Sequence, residues 1–203
     1  MKRLLAIATV LTLSMFGMVS TATQAVAEPC RAETVIGIGG VGDGDSSTLA
    51  AGSDIVVPYS GGLNDIEGGI RELDKTVANV RAACPATTLG FAGFSQGSVI
   101  VHVYLQRKGA MYKDNAWYVA YSDSKQDVTG QSSALFLLAG PPTAGVDANF
   151  GGVPGVSICY IDDVICNKNA KTGWFGYSFG GTHTEHYDFM PKLHKTQRGI
   201  LWV

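Results

Sequence analysis

The sequence has few charged residues and no large excess of either sign. Only 16% of its 203 residues are Asp, Glu, Lys or Arg, and the formal net charge at pH 7 is −2. Nucleic-acid-binding domains concentrate positive charge, so this composition argues against a nucleic-acid partner. Internal repeats and linker-like stretches are also lacking. With 46% hydrophobic residues, the chain is too apolar to be disordered, and its length fits one domain.

The N-terminus has the three parts of a secretory signal peptide. A basic start precedes an apolar run over residues 4–19, and an A-x-A triplet ends at Ala27. The apolar run is short for a membrane span, which needs about 20 residues. We therefore expect residues 1–27 to be a cleaved signal peptide and residues 28–203 to form one secreted domain.

Only four cysteines are present: Cys30, Cys84, Cys159 and Cys166. In an exported chain, an even number of cysteines is typical of disulfide bonds, and four cysteines allow three pairings. A zinc site is disfavoured because the last two cysteines lie seven residues apart with no close histidine pair. We expect no metal and no cofactor.

The hydrophobic pattern alternates between strands and helices. Five apolar residues at helical spacing predict a helix over Asn64–Ala83: Ile66, Ile70, Leu73, Val77 and Val80. A second helix is predicted over Val99–Gln106, opening near Gly97. Strands are predicted at Glu33–Ile38, Ile55–Pro58, Thr87–Ala92, Trp117–Tyr121, Ala134–Ala139 and Val156–Ile161. This alternation indicates an α/β fold with a mainly parallel sheet flanked by helices, whereas the tail from Lys171 has no clear period.

A candidate nucleophile is Ser95, in a G-x-S-x-G pattern over residues 93–97. A tight strand-to-helix turn projects such a serine above the sheet, and the N–H of the next residue, Gln96, faces the oxyanion that develops. The bare pattern is weak, because Ser178 also matches it. Ser95 follows a predicted strand and precedes a predicted helix, whereas Ser178 has neither neighbour.

Two segments resemble the cutinase family of serine esterases. Cys84-Pro85 followed by residues 89–97 (LGFAGFSQG) is similar to the family's nucleophile region. The pattern C-x-x-x-D-x-x-C over residues 159–166 is similar to a family disulfide loop that carries the catalytic Asp. The resemblance implies an α/β-hydrolase fold and cofactor-free hydrolysis of carboxylic esters by a Ser-Asp-His triad. It also implies the disulfides Cys30–Cys84 and Cys159–Cys166.

The resemblance assigns the acid to Asp163, with Asp162 as the alternative. The histidine should follow the acid in the chain, where His183, His186 and His194 are available. We prefer His183, because a His-Thr pair in a Gly-rich loop resembles the family. The family commonly has a tyrosine three residues after this histidine, whereas Tyr187 lies four after His183, so His186 stays open as the alternative. His102 precedes the acid and is interpreted as a residue of a helix face.

The second oxyanion donor should come from the loop after the first strand. Gly39-Gly40-Val41 resembles the corresponding turn of the related PE-PPE esterases, with Val41 in place of Thr or Ser. Val41 can donate its backbone N–H but has no hydroxyl, and losing one such donor can lower the rate by about 10²–10³. We therefore expect slower chemistry than that of a typical cutinase.

Four aromatic residues lie between the acid and His183: Trp174, Phe175, Tyr177 and Phe179. They suit either an acyl- or lipid-binding surface or packing beneath the sheet. The sequence thus predicts a secreted, monomeric serine esterase acting on small-molecule or lipid esters, with transient contact to a lipid or cell-envelope surface. The alternatives are a catalytically silent surface-binding protein on an esterase scaffold and an acyltransferase.

Overall fold

The structure is a computed structural model that describes residues 30–43, 52–63, 65–125, 149–184, 187 and 199–202. The described elements, in chain order, are β1 (Glu33–Ile38), β2 (Ile55–Val56), α1 (Ile66–Ala83), β3 (Thr88–Phe94), α2 (Gln96–Lys108), β4 (Ala116–Tyr121), β5 (Gly155–Cys159), α3 (Gly173–Phe179) and β6 (Gly199–Trp202). A short 3₁₀ turn, Gly109–Met111, follows α2. The predicted signal peptide, the predicted strand Ala134–Ala139, His186 and His194 lie outside the described residues.

The strands form a parallel sheet in the order β2-β1-β3-β4-β5-β6. The direction of strand addition reverses at β1, which has β2 on one side and β3 on the other. In open parallel sheets, ligands bind outside the carboxyl ends of the strands at such a switch point. The expected α/β-hydrolase architecture, with a parallel sheet and flanking helices, is confirmed.

Hydrophobic residues cover both faces of the sheet, since successive residues of a strand point to opposite sides. Tyr118 of β4 belongs to the larger cluster, which also contains the buried faces of α1 and α2. Trp117 and Tyr121 belong to the smaller cluster on the other face, together with Phe94 and Tyr187. This smaller cluster supports the chain segments that follow β3 and β5.

The helix predicted over Asn64–Ala83 begins at Ile66, and its five periodic residues are buried as expected. The next helix begins earlier than predicted, at Gln96, and β3 runs through Gly93 to Phe94. Helix α3 and strand β6 were not predicted. The sequence of α3, GWFGYSF, mixes glycine with aromatics and has no one-sided apolar pattern.

The two disulfides lie at opposite ends of the parallel strands, one near their amino ends and one near their carboxyl ends. Cys30–Cys84 joins the segment before β1 to the end of α1, with a Cα–Cα distance of 5.5 Å. Cys159–Cys166, with a Cα–Cα distance of 5.8 Å, closes a short loop at the carboxyl end of β5. These are the pairings implied by the cutinase resemblance. Across the described residues, no helix combines the length and hydropathy that a membrane span requires.

Candidate active site

Ser95 lies on the sharp turn between β3 and α2, with φ 53° and ψ −119°. Positive φ is uncommon for a residue with a Cβ and is typical of strained functional positions. The flanking glycines allow the chain to turn this closely. A Cβ on Gly97 would lie 2.2 Å from the carbonyl oxygen of Ile38, and one on Gly93 would lie 2.6 Å from the carbonyl oxygen of Gly97.

The imidazole of His183 lies between Ser95 and Asp163. Its Nε2 is 2.8 Å from Ser95 Oγ, and its Nδ1 is 3.0 Å from Asp163 Oδ2. Phe94 stacks on the ring, with a centroid distance of 5.0 Å. His183 is almost entirely buried, whereas Ser95 is partly exposed. One hydrogen-bonded chain therefore joins the predicted nucleophile, histidine and acid.

Asp163 is fully buried in the disulfide loop after β5. Its Oδ1 accepts a hydrogen bond of 2.9 Å from the N–H of Ile165, and its Oδ2 accepts one of 2.8 Å from the hydroxyl of Tyr187. Burial, reinforced by the negative charge of Asp163, raises the pKa of Tyr187, so this hydroxyl remains a donor. Asp162 points elsewhere, since its Oδ1 accepts the N–H of Lys171.

The position of Tyr187 in the structure explains how its unusual sequence spacing from His183 is accommodated. Although it lies four residues after His183, its ring is buried and its hydroxyl reaches Asp163. The same hydroxyl accepts the N–H of Tyr160 at 2.9 Å. Tyr187 therefore links the segment that carries His183 to the end of β5. In this arrangement His183 is the histidine that contacts Asp163.

Sequence reasoning missed Ser122, which follows β4. Its Oγ lies 2.5 Å from Asp163 Oδ2 and 3.1 Å from His183 Nδ1. The available signal was topological. Ser122 is the first polar residue after a buried strand, and carboxyl ends of parallel strands meet at one edge of the sheet, where ligand sites form.

The turn after β1 packs directly against Ser95. A Cβ on Gly40 would lie 3.2 Å from Ser95 Cβ. The hydroxyl of Tyr59 donates to the carbonyl of Gly39 at 2.6 Å, and burial raises the pKa of Tyr59 to about 12. Val41, in this turn, is half-exposed.

Gln96 is the first residue of α2, and the first four N–H groups of a helix have no carbonyl partner within it. Its side-chain Nε2 donates to the carbonyl of Gly62 at 2.8 Å. Gln96 is thus held beside the 59–62 segment, which also contacts the turn after β1 through the bond from the N–H of Gly42 to the carbonyl of Gly61.

The remaining candidates lie away from this chain of hydrogen bonds. His102 is on α2, as expected, but it is fully buried and its Nδ1 lies 2.6 Å from Asp123 Oδ2. Ser178 is exposed on α3. Among the residues that the structure describes, no group of His, Cys, Asp and Glu side chains is arranged to hold a metal ion.

Three aromatic residues of α3, Trp174, Phe175 and Phe179, face solvent rather than the underside of the sheet. Phe175 and Phe179 are 73% and 80% exposed, their rings lie 5.3 Å apart, and Trp174 is also exposed. Ile161, in the disulfide loop, is exposed as well. An apolar surface therefore lies on α3, between Asp163 and His183 in the chain, and a further apolar side chain is exposed in the disulfide loop.

Several solved structures align with this chain. A cutinase-like protein from Cryptococcus sp. aligns with a TM-score of 0.54 at 16% identity, covering 72% of this chain and 84% of that one. An acetylxylan esterase aligns with a TM-score of 0.49 at 14% identity, covering 78% and 92%. A cutinase from Trichoderma reesei, in complex with a phosphonate inhibitor, aligns with a TM-score of 0.43 at 22% identity, covering 69% and 66%.

A search of curated protein sequences gives no match. The family model described as Cutinase matches residues 14–190. This range includes both disulfides, the turn at Ser95 and the loop that carries Asp163. The chain therefore belongs to the cutinase family of carboxylic ester hydrolases.

Proposed function

We propose that this ester hydrolase is a secreted serine esterase in which Ser95, His183 and Asp163 form the catalytic triad. The observation that carries the proposal is the hydrogen-bonded chain from Ser95 Oγ through both nitrogens of His183 to Asp163. The two disulfides support secretion, because disulfides persist mainly in oxidising compartments.

In the acylation step, Ser95 Oγ attacks the ester carbonyl carbon while His183 Nε2 takes the hydroxyl proton. The resulting oxyanion accepts hydrogen bonds from the N–H groups of Gln96 and Val41. Asp163 holds the Nδ1–H tautomer and stabilises the imidazolium. When the tetrahedral intermediate collapses, Nε2–H protonates the departing alkoxide, and the acyl group remains on Ser95.

In the deacylation step, water replaces the alcohol. His183 Nε2 takes a proton from this water as its oxygen attacks the acyl carbon, and the second tetrahedral intermediate forms at the same donors. Its collapse returns the proton to Ser95 Oγ and releases a carboxylic acid. Each residue ends in its starting state, so the cycle needs no cofactor.

Ser122 also contacts His183, but it lacks the features of a nucleophile. Its hydroxyl is fully buried and lies on the Nδ1 side, 2.5 Å from the carboxylate of Asp163. An Nδ1 that donates to Asp163 cannot also remove a proton from Ser122. Ser95 is partly exposed on the Nε2 side and precedes the N–H groups of a helix start.

The substrate class we propose is an ester with an apolar acyl chain, at a lipid or cell-envelope surface. The exposed aromatic residues of α3 support this assignment, since Phe175 and Phe179 together form an apolar pair on the helix that follows the loop of Asp163 in the chain. Val41 supplies no hydroxyl to the oxyanion, so we expect turnover below that of a typical cutinase.

The test combines ester turnover with covalent labelling. Wild-type protein should hydrolyse short- and medium-chain nitrophenyl esters and react with a fluorophosphonate probe, and peptide mapping should find the label on Ser95. Ser95→Ala should remove labelling and lower kcat by about 10⁴-fold or more. Ser178→Ala is the matched control, because Ser178 has the same G-x-S-x-G surroundings in sequence but lies exposed on α3.

Three outcomes would change the proposal. Label found on Ser122 would exchange the roles of the two serines. An unreactive wild-type protein would point to a silent scaffold that only binds surfaces. Ester formation with an added alcohol, in preference to hydrolysis, would identify an acyltransferase.

A further inference from the structure

The hydroxyl of Ser122 has one proton and lies within hydrogen-bond distance of both Asp163 and His183. Oγ lies 2.5 Å from Asp163 Oδ2 and 3.1 Å from His183 Nδ1. In the tautomer that accepts a proton at Nε2, Nδ1 carries a hydrogen and donates to Asp163. Ser122 must then donate to Asp163 as well, so the carboxylate receives hydrogen bonds from the serine and the imidazole on the same side.

Ser122 makes this contact from a backbone conformation that disfavours any residue with a Cβ. Its φ is 55°, in the left-handed region. Such conformations persist where surrounding structure enforces them, and they cluster at functional sites. A glycine would occupy this φ without strain, so the conformation by itself does not call for a serine.

The surroundings that hold this conformation are buried and polar. The N–H of Ser122 donates to the carbonyl of Ile158 on β5 at 2.9 Å. The next residue, Asp123, accepts the N–H of Lys125 on Oδ1 at 2.9 Å. Its Oδ2 lies 2.6 Å from Nδ1 of His102, and both side chains are fully buried. The turn at residues 122–125 is therefore fixed to β5 and to α2.

We propose that Ser122 is a positioning residue that orients the carboxylate of Asp163, with the buried His102–Asp123 pair anchoring the turn that carries it. This inference rests on the proposed triad. Helix α2 begins directly after Ser95, so the anchor links the helix that follows the nucleophile to the residue that holds the acid.

The proposed role of Ser122 is to orient the carboxylate of Asp163, which is more specific than stabilising the fold. The carboxylate of Asp163 accepts hydrogen bonds from Ser122 and Tyr187 at Oδ2 and from the N–H of Ile165 at Oδ1. These three hydrogen bonds fix the orientation of the carboxylate toward His183 Nδ1. Removing Ser122 Oγ leaves the ester-binding surface intact and loosens only the acid. The loss should therefore fall on kcat and leave KM nearly unchanged.

The experiment compares Ser122→Ala, Ser122→Gly and Ser124→Ala. Alanine removes the hydroxyl and keeps the strain, whereas glycine removes the hydroxyl and relieves the strain. Ser124 is the matched control, because it is a buried serine in the same turn whose hydroxyl has no hydrogen-bond partner within the described part of the chain. Steady-state kinetics on a dissolved nitrophenyl ester, fluorophosphonate labelling rates and thermal unfolding are measured for all three.

Both Ser122 variants should lose about 10- to 100-fold in kcat, the size expected for a hydrogen bond to a charged group, while Ser124→Ala keeps wild-type kinetics. The unfolding temperature of Ser122→Gly should equal or exceed that of Ser122→Ala, whereas the two variants should have equally low kcat. Wild-type kcat in the glycine variant would overturn the role of the hydroxyl. Failure of the wild-type protein to label at Ser95 would overturn the triad and this inference together, whereas normal labelling with unchanged Ser122 variants overturns this inference alone.

Discussion

Ser95 and Ser122 contact opposite nitrogens of one imidazole, and they share an unusual backbone conformation. Within the described ranges they are the residues other than glycine that have positive φ, at 53° and 55°. Each follows a central strand of the parallel sheet, β3 and β4 respectively. In the described part of the chain, backbone strain at residues with a Cβ is therefore concentrated at the two turns that border His183.

Asp163→Asn should lower kcat by about 10⁴-fold, because an amide cannot hold His183 in the Nδ1–H tautomer. The matched control is Asp162→Asn. The Oδ1 of Asp162 accepts the N–H of Lys171, which an asparagine oxygen can also do. Steady-state kinetics of the two variants should differ by several orders of magnitude, and similar losses in both would contradict the assignment of the acid.

Gly97→Ala should disrupt the turn at Ser95 and reduce labelling by a fluorophosphonate probe. The added Cβ would lie 2.2 Å from the carbonyl oxygen of Ile38, a backbone atom that cannot move away cheaply. Overpacking of this kind typically costs about 1–3 kcal/mol of folding stability. Gly52→Ala is the control, since no atom of the described residues lies within 4 Å of a Cβ added there. Normal labelling of Gly97→Ala would show that this close contact is dispensable.

The two disulfides should affect different properties when removed. Replacing Cys30 and Cys84 by serine opens a separation of 54 residues and should cost about 4 kcal/mol of stability, with little effect on kcat in protein that remains folded. Replacing Cys159 and Cys166 should cost less stability, since they are only seven residues apart. It should lower kcat by about 10²-fold through displacement of Asp163. Denaturant unfolding and kinetics on both double variants measure the contrast, and equal activity losses would contradict it.

A Phe175→Ser/Phe179→Ser double variant should bind phosphatidylcholine vesicles at least about 10-fold more weakly, because two exposed apolar side chains are lost. Hydrolysis of an ester within the vesicle should fall with binding, and hydrolysis of a dissolved short ester should change far less. Met111→Ser is the control, since Met111 is equally exposed but follows α2 at its far end from Ser95. Equal vesicle binding by both variants would contradict a docking role for α3.

The sequence predicted the sheet and the main helices well where periodicity was strong. Helix α1 shows five apolar residues on one face, and β1 was predicted with the observed limits, Glu33–Ile38. Helix α3 was missed because Trp174, Phe175 and Phe179 are exposed, so burial of these side chains imposes no apolar stripe on its sequence.

Motif spacing also led to Ser95 and Asp163, whose local chain segments have strict backbone requirements. It favoured Asp163 over Asp162 and His183 over His186 and His194 but left these alternatives open, because contacts between distant segments decide those positions. Tyr187 illustrates the limit, since its hydroxyl reaches Asp163 from a spacing that departs from the family. Ser122 had no motif, and its contact with Asp163 depends on the adjacency of β4 and β5.

The site is divided along the chain. The turn after β1 and Ser95 belong to the first half of the sequence, whereas Asp163, His183 and Tyr187 all lie in its last quarter. In the proposed triad, Ser95 gains its proton acceptor only when the segment that carries His183 has folded onto the end of β5. Hydrolysis therefore requires contacts between parts of the chain that are far apart in sequence.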